Sequence, residues 1–241
     1  MNNKIDFIQN ELASLEKKSA EELLSWALKT FQSKIALACS FQCEESVLID
    51  MLYKLSGRGH FRVFTLDTGR LNPETYEVME DFRVRYGIQI EAQFPEREFV
   101  EKLEKEKGLF SFRDSIENRK ECCKIRKVVP LNRMLNTLDA WITGLRSAQS
   151  VTRAGTSKVE LHIPNEGIIK LNPLADWSTD QVWDYIRTHK VPYNKLHDSG
   201  YSSIGCAPCT RAIKPSEDIR SGRWWWENPE HKECGLHHPK N

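Results

Sequence analysis

Five of the chain's seven cysteines are grouped in a way that predicts chemistry. Cys122 and Cys123 are adjacent, Cys206 and Cys209 enclose Ala-Pro, and Cys234 stands alone near the C-terminus. Four thiolates suit a tetrahedral zinc ion or a 4Fe–4S cluster, and a lone thiol suits a nucleophile. Neighbouring helical residues diverge by about 100°, so Cys122 and Cys123 can share a metal centre only where a helix is distorted or ends. The pattern suggests a redox enzyme with a covalent step, and buried structural thiols are the alternative.

The composition is that of an ordinary globular protein and excludes several classes. The chain has 241 residues, 39% of them hydrophobic, and 35 basic against 34 acidic side chains give a net charge of +1. This balance argues against broad nucleic-acid binding, although a few placed cations could still hold an anionic small molecule. The N-terminus lacks the features of a signal peptide, and no apolar run approaches the ~20 residues of a membrane span. We expect a cytoplasmic protein that binds neither a membrane nor a nucleic acid.

Alternating strands and helices predict the fold class. Strands are predicted at 35–39, 62–66, 88–92 and 140–143, and helices at 21–31, at 47–55, from Pro73 and from the capping box Ser178-Thr-Asp-Gln181. This order favours an α/β fold with a mostly parallel sheet flanked by helices. Periodicity fades from Cys206, so we predict an α/β domain over 1–205 and an irregular C-terminal tail over 206–241.

Three loops follow predicted strands, at 40–46, 67–70 and 144–153. Ligands of parallel sheets bind beyond the carboxyl ends of strands, so the three loops indicate one crevice. The backbone of 40–46 could cradle an anion at a helix start, but it lacks the glycines and lysine of a Walker A loop. Asp67 could accept a hydrogen bond from a ribose or adenine donor, and Gly69 permits a tight turn. Taken alone, the loops at 40–46 and 67–70 are better explained as ordinary turns.

Basic residues recur beside the cysteines and the strand-end loops. They are Lys124, Arg126, Lys127, Arg146, Arg153, Arg211, Arg220 and Arg223. Each alone is usually a solvated surface charge, but together they favour an oxyanion site, since arginine forks suit sulfate and phosphate.

Seven segments, taken together, resemble the thioredoxin-dependent assimilatory adenylyl-sulfate (APS) reductases of the APS/PAPS reductase family, where PAPS is the 3′-phosphorylated substrate. The similarity spans about residues 33–238. The segments are Ser40-Phe-Gln-Cys-Glu-Glu, Leu66-Asp-Thr-Gly-Arg70, Glu121-Cys-Cys-Lys-Ile-Arg-Lys127, Trp141-Ile-Thr-Gly144, Ile204-Gly-Cys-Ala-Pro-Cys-Thr-Arg211, Gly222-Arg-Trp-Trp-Trp226 and Lys232-Glu-Cys-Gly-Leu-His237.

The resemblance implies an adenine nucleotide α-hydrolase-like fold and a complete reaction. A 4Fe–4S cluster would sit on Cys122, Cys123, Cys206 and Cys209. The Cys234 thiolate would attack the sulfur of APS, AMP would leave, and reduced thioredoxin or a glutaredoxin-like protein would release sulfite from the resulting S-sulfocysteine. The implied substrate-binding residues are Ser40, Leu66, Asp67, Gly69, Lys127, Arg153, Arg220 and Arg223, with Lys127 best placed to touch both cluster and substrate.

The resemblance also leaves alternatives open. All four cluster cysteines favour APS over PAPS, although some cluster-bearing relatives accept both. Glu45 stands where many members have aspartate, which alters the geometry of the phosphate loop. A tRNA-thiolating enzyme of the same superfamily would show a glycine-rich Ser-Gly-Gly-x-Asp-Ser loop, absent here. A zinc-stabilised nucleotide sensor without chemistry is the non-enzymatic alternative, and the sequence does not determine whether the chain forms a homo-oligomer.

Overall fold

The fold is built on a central sheet, seen in a computed structural model that describes residues 11–57, 60–149, 153, 155–162 and 167–228. The strands of these residues are β1 Ile35–Ala38, β2 Arg62–Leu66, β3 Ile90–Gln93, β4 Ala140–Ile142, β5 Val159–His162 and β6 Ile168–Leu171. They lie in the order β3-β2-β1-β4-β6-β5, and every neighbouring pair is parallel except β5 with β6. The predicted mostly parallel sheet is confirmed.

Helices cover both faces of this sheet. They are α1 Ala20–Phe31, α2 Cys43–Ser56, α3 Pro73–Tyr86, α4 Arg97–Lys107, α5 Ile116–Cys123, α6 Val129–Leu135 and α7 Thr179–His189. The capping box at Ser178 is confirmed, because its hydroxyl accepts from the backbone N–H of Gln181 and the Gln181 side chain accepts from the Ser178 N–H. Among the described helices, none is long and apolar enough to cross a membrane.

Alternate residues of the central strands β1, β2 and β4 enter two separate cores. In β1, Leu37 packs with α1 and α2, whereas Ala36 faces the opposite side with Leu131 and Leu135 of α6. In β4, Trp141 joins the α6 side. This alternation is the two-residue period of a strand buried on both faces, and it explains why the strands read as near-continuous apolar runs.

Helix α2 begins earlier than the apolar periodicity predicts, at Cys43 rather than Val47. The Glu45 carboxylate accepts from the backbone N–H of Gln42 at 3.1 Å, which satisfies a donor of the first turn. The chain enters this helix through Phe41, which is fully buried with a φ of 59°. A left-handed phenylalanine marks a strained turn, held here by its packing against Phe82.

The segment between α4 and α6 contains the helix distortion that the adjacent cysteines require. Helix α5 ends at Cys123, and the next five residues, Lys124–Val128, form a π-helix before α6 continues. A π-turn widens the helix locally and shifts the directions of neighbouring side chains. This distortion meets the condition under which Cys122 and Cys123 could share a metal centre, and the shared centre itself stays a prediction.

Candidate active site

A crevice of about 550 Å³ opens at the carboxyl ends of β1, β2 and β4. Strands β2 and β4 lie on either side of β1, so the chain leaves β1 and β4 in opposite directions across the sheet. Such a switch point leaves room for a ligand between the loops. Six of the eight predicted substrate residues line the crevice: Ser40, Leu66, Lys127, Arg153, Arg220 and Arg223.

Asp67 and Gly69 do not line this crevice. The Asp67 carboxylate accepts from the Gly69 backbone N–H at 2.8 Å and from the Tyr76 hydroxyl at 3.0 Å. Gly69 has a φ of 70°, a conformation that favours glycine. In this structure the two residues shape the turn after β2, and their role toward adenosine stays a prediction.

Two hydrogen-bond donors of the loop after β1 are directed onto the carboxylate of Glu45, in the first turn of α2. Both the Ser40 hydroxyl and the Gln42 N–H donate to Glu45 at 3.1 Å. Burial and the neighbouring Glu44 raise the pKa of Glu45 to about 7, although those hydrogen bonds act in the opposite direction. Gly144 lies directly against it, since a Cβ at that position would be 2.5 Å from a Glu45 oxygen.

A buried ion pair that the sequence reasoning missed closes one side of the crevice. Arg146 donates twice to one Glu44 oxygen, at 3.0 and 2.8 Å, and Gln149 donates to the same oxygen at 2.9 Å. Burial alone would raise the pKa of Glu44, but Arg146 and Gln149 outweigh it and lower that pKa. Arg153 then donates to Gln149 at 2.6 Å, so one chain of contacts holds it at the crevice. A buried carboxylate such as Glu44 needs a cationic partner, and that requirement is the signal that could have singled out Arg146.

All four grouped cysteines line a second, smaller cavity of about 20 Å³, the cysteine cavity. Its wall is unusually rich in cations. These are Arg70, Arg119, Arg126, Lys127 and Arg223. Glu104 accepts from both Arg70 and Arg126, at 3.0 and 2.6 Å, which holds their guanidinium groups in place. Cations at this density favour an anionic occupant.

The cysteines of this cavity are thiols rather than disulfides. Burial and the adjacent Cys206 raise the pKa of Cys209 to about 12, and burial also raises the pKa of Cys122. Thr68 Oγ1 and Cys206 Sγ are 3.3 Å apart, within hydrogen-bond range. Within the described ranges, no three Cys, His, Asp or Glu side chains are gathered tightly enough to hold a single metal ion.

The donor set of the cysteine cavity fits an iron–sulfur cluster. In a 4Fe–4S cluster each of four cysteines binds a different iron, so the four sulfurs need not converge on one point. Three buried donors that line the cavity, Arg126 Nε, Arg223 Nε and Trp224 Nε1, find no acceptor among the described residues. Buried donors nearly always have a partner, and anionic sulfur atoms in the cavity would supply acceptors.

The two cavities share a wall. Lys127, Cys206 and Arg223 line both of them. Arg223 is further held by hydrogen bonds from its Nη1 to the Ser203 hydroxyl at 3.3 Å and the Ile204 carbonyl at 3.2 Å. Gly205 lies directly beside it, and a Cβ there would lie 2.4 Å from the guanidinium, which would have to shift. Lys127 lies between the two cavities, and its contact with a cluster and a substrate stays a prediction.

The segment that follows Cys209 returns to the domain before the described chain ends at Asn228. Thr210 forms an antiparallel bridge with Arg223, and the Trp224 N–H donates to the Cys209 carbonyl at 3.1 Å. Trp224 is 1% exposed, so its side chain anchors this segment to the domain. Cys234 lies outside the described residues, and both its role and the domain boundary at 205/206 stay predictions.

Comparison with solved structures defines the class of protein. The fold overlaps that of an NH3-dependent NAD synthetase from Campylobacter jejuni over 80% of this chain and 78% of the other, with a TM-score of 0.51 and 9% identity. It overlaps a phosphoadenylyl-sulfate (PAPS) reductase from Candida auris over 87% of this chain and 96% of the other, with a TM-score of 0.69 and 28% identity. The predicted adenine nucleotide α-hydrolase-like fold is confirmed.

The sequence comparisons are more specific. Residues 34–212 match the phosphoadenosine phosphosulfate reductase domain. A protein from Allochromatium vinosum named adenosine 5′-phosphosulfate reductase is 50% identical over 219 residues, which cover 91% of this chain and 84% of the relative. The chain belongs to the phosphoadenosine phosphosulfate reductase family, and the predicted family is confirmed.

Proposed function

We propose that this protein reduces APS to sulfite and AMP in sulfate assimilation and cysteine biosynthesis. The name of its 50%-identical relative and its family membership support this reaction. The observation that carries it is the crevice at the strand ends, where Lys127, Arg153, Arg220 and Arg223 line one cavity. A phosphosulfate is a compact dianion, and arginine forks with a lysine bind such oxygens by charge-assisted hydrogen bonds.

The chemical step assigned to the chain begins at Cys234. Its thiolate attacks the sulfur of APS, a new S–S bond forms, the S–O bond to the phosphate breaks, and AMP leaves with that electron pair. The product on the enzyme is S-sulfocysteine. Lys127 and Arg223 stabilise the negative charge on the sulfonyl and phosphate oxygens as it shifts toward AMP. Ser40 and Leu66 line the same crevice and contact the remainder of the nucleotide in this assignment.

A dithiol protein of the thioredoxin class completes the cycle. One of its thiolates attacks the Cys234 sulfur, sulfite leaves, and the second thiol resolves the mixed disulfide and restores the Cys234 thiolate. The two electrons that reduce the sulfonyl group come from the dithiol, which becomes a disulfide. This chemistry needs a compartment in which thiols stay reduced, in agreement with a cytoplasmic location.

The cofactor assigned to the cysteine cavity is a 4Fe–4S cluster on Cys122, Cys123, Cys206 and Cys209. When bound, it supplies electrostatics and structural anchoring, since thiol–disulfide exchange already accounts for both electrons. Arg126, Arg223 and Trp224 present their buried donors to that cavity, and Lys127 lies in the wall between it and the crevice.

The test is sulfite release by anaerobically purified protein with reduced thioredoxin, offered APS and PAPS in parallel. We expect sulfite from APS and none from a Cys234→Ser variant that still binds nucleotide. Sulfite from both nucleotides would indicate a relaxed site for the ribose 3′ position. No sulfite from either, with iron and sulfide present, would contradict the proposal, and zinc without sulfide would favour the sensor alternative.

A further inference from the structure

One buried ion pair connects the helix of two metal-ligand candidates to the end of the described chain. Arg119, on α5, donates from Nε and Nη2 to the two carboxylate oxygens of Glu227 at 2.8 and 2.9 Å. The side chains of Arg119 and Glu227 are only 1% and 4% exposed. The pair joins residues 108 positions apart in the sequence, so it fixes one segment against another rather than supporting a local turn.

Arg119 also contacts the cysteine cavity. It lines that cavity, and its hydrogen bonds include one with the side chain of Cys123, one helical turn further on. Its guanidinium carbon lies 4.6 Å from the centre of the Trp224 ring, and that of Arg223 lies 4.8 Å from the same ring. A planar guanidinium that holds a thiol, an aromatic face and a carboxylate at once cannot shift toward one without moving relative to the others.

Glu227 in turn holds the start of the segment that bears Cys234. Its backbone N–H donates to the Trp224 carbonyl at 2.8 Å, and the Trp224 N–H donates to the Cys209 carbonyl at 3.1 Å. Cys234 follows seven residues after Glu227. Seven extended residues span at most about 24 Å, so the position of Glu227 limits the volume that the Cys234 sulfur can reach.

We infer that Glu227 and Arg119 are positioning residues which fix the start of the Cys234 segment to the helix that carries Cys122 and Cys123. The inference rests on the proposed function for the role of Cys234. Through this pair, a change at the cysteine cavity alters the point from which the Cys234 segment starts, and the reverse also holds. Stability alone is a weak reason for such a pair, because burying both charges costs desolvation that their attraction only partly returns.

The test is the alkylation rate of Cys234, followed by peptide mapping, in wild type and in Glu227→Gln. Glutamine keeps the shape and one acceptor oxygen but removes the charge that holds the guanidinium. We expect alkylation of Cys234 to be at least about fivefold faster in the variant because Glu227, from which the chain continues to Cys234, is no longer held to Arg119 by its charge. Iron content should be unchanged, and Glu121→Gln is the matched control, since Glu121 lies on the same helix in an exposed pair with Lys107.

Kinetics provide a second readout. Glu227→Gln should lower kcat for sulfite formation by about 10- to 100-fold, with KM for APS within about twofold of wild type, because the nucleophile and not the crevice is displaced. Glu227→Asp keeps the charge on a shorter side chain and should restore part of kcat. In a Cys209→Ala background, Glu227→Gln should accelerate alkylation no further, as expected for two changes that act through one contact.

Several results would overturn the inference. Equal alkylation and equal kcat in Glu227→Gln and wild type would show that the pair does not position Cys234. Loss of iron or of the folded state in Glu227→Gln, with Glu227→Asp like wild type in alkylation, would make the pair purely structural. Absence of sulfite from the wild type would contradict the proposed function instead, and the alkylation comparison would still decide the positioning role.

Discussion

At the scale of single residues, Glu45 is a carboxyl group whose ionisation is changed by its buried environment. Its carboxyl is buried between Glu44 and Gly144, and its pKa is raised to about 7 by burial first and Glu44 second. A pKa above the unfolded value of 4.5 means that the folded state holds the proton more tightly. The associated stabilisation is complete below pH 4.5 and is lost as the pH rises through 7.

Replacing Glu45 by glutamine should therefore change the stability of the nucleotide-free protein, relative to wild type, more favourably at pH 8 than at pH 4.5. The amide keeps an oxygen for the Ser40 hydroxyl and the Gln42 N–H but never ionises. The free energy of unfolding of the variant minus that of wild type should rise by on the order of 2–3 kcal/mol between these pH values. Urea unfolding at both pH values measures it, with the exposed Glu98→Gln as control; a constant difference contradicts the raised pKa.

Loss of the Arg223 side chain should strongly lower kcat/KM for APS. Arg223 lines the crevice and contacts Ser203, Ile204 and Trp224. Arg223→Ala should lower kcat/KM for APS by about 100-fold, the scale of losing one charged donor to a developing anion. Steady-state sulfite assays measure this, and the exposed Arg187→Ala on α7 is the control. An unchanged kcat/KM at full iron content would remove Arg223 from the site.

At the scale of elements, the cysteine cavity depends on the 3-10 turn Ala207–Cys209 and on the π-helix after α5. Cys209→Ala should abolish cluster binding, because a 4Fe–4S cluster needs all four thiolates in this arrangement. Iron and sulfide analysis of the anaerobically purified variant checks this. Cys43→Ala, a buried cysteine of α2, should retain its iron. A full iron count in Cys209→Ala would contradict the cluster assignment.

The sequence predicted the elements whose signals are local. Strand β2 was placed at its observed bounds, 62–66, and the capping box at Ser178 opens α7 as expected. The sequence analysis does not predict strands β5 and β6. Glu160 of β5 is paired with Lys170 of β6, and the two form a salt bridge at 3.4 Å. These polar residues interrupt the apolar runs by which a strand is recognised. The stabilisation from this salt bridge is visible only once the two strands are side by side.

In the site, too, the features with local sequence signals are predicted and those that depend on distant residues are not. Placing Ser40 and Lys127 by motif agrees with the crevice lining, since strand ends of a parallel sheet meet at one edge. The motif does not indicate that the Asp67 carboxylate accepts hydrogen bonds from Gly69 and Tyr76, and its role toward adenosine stays a prediction. The partners of Glu44 and Arg119 lie more than 100 residues away, at Arg146 and Glu227. No spacing rule reaches across that distance.

At the scale of the whole molecule, the net charge is only +1, yet five cations and no carboxylate of the described residues line the cysteine cavity. Cations gather around the crevice and the cysteine cavity, so the field they produce is local and open to screening by salt. Raising ionic strength from about 20 to 300 mM should raise KM for APS severalfold and change kcat much less. Initial rates across a KCl series measure this. A KM independent of salt would argue against an electrostatic site.

The shared wall has a consequence for the history of the chain. Lys127, Cys206 and Arg223 each line two cavities, so a substitution at any of them changes both the crevice and the cysteine cavity. A lineage that abandons the cysteines no longer needs Cys206, yet its Lys127 and Arg223 would then border an empty space and require new neighbours. Loss of Cys206 should therefore be accompanied by changes in the residues around Lys127 and Arg223, which the crevice still requires.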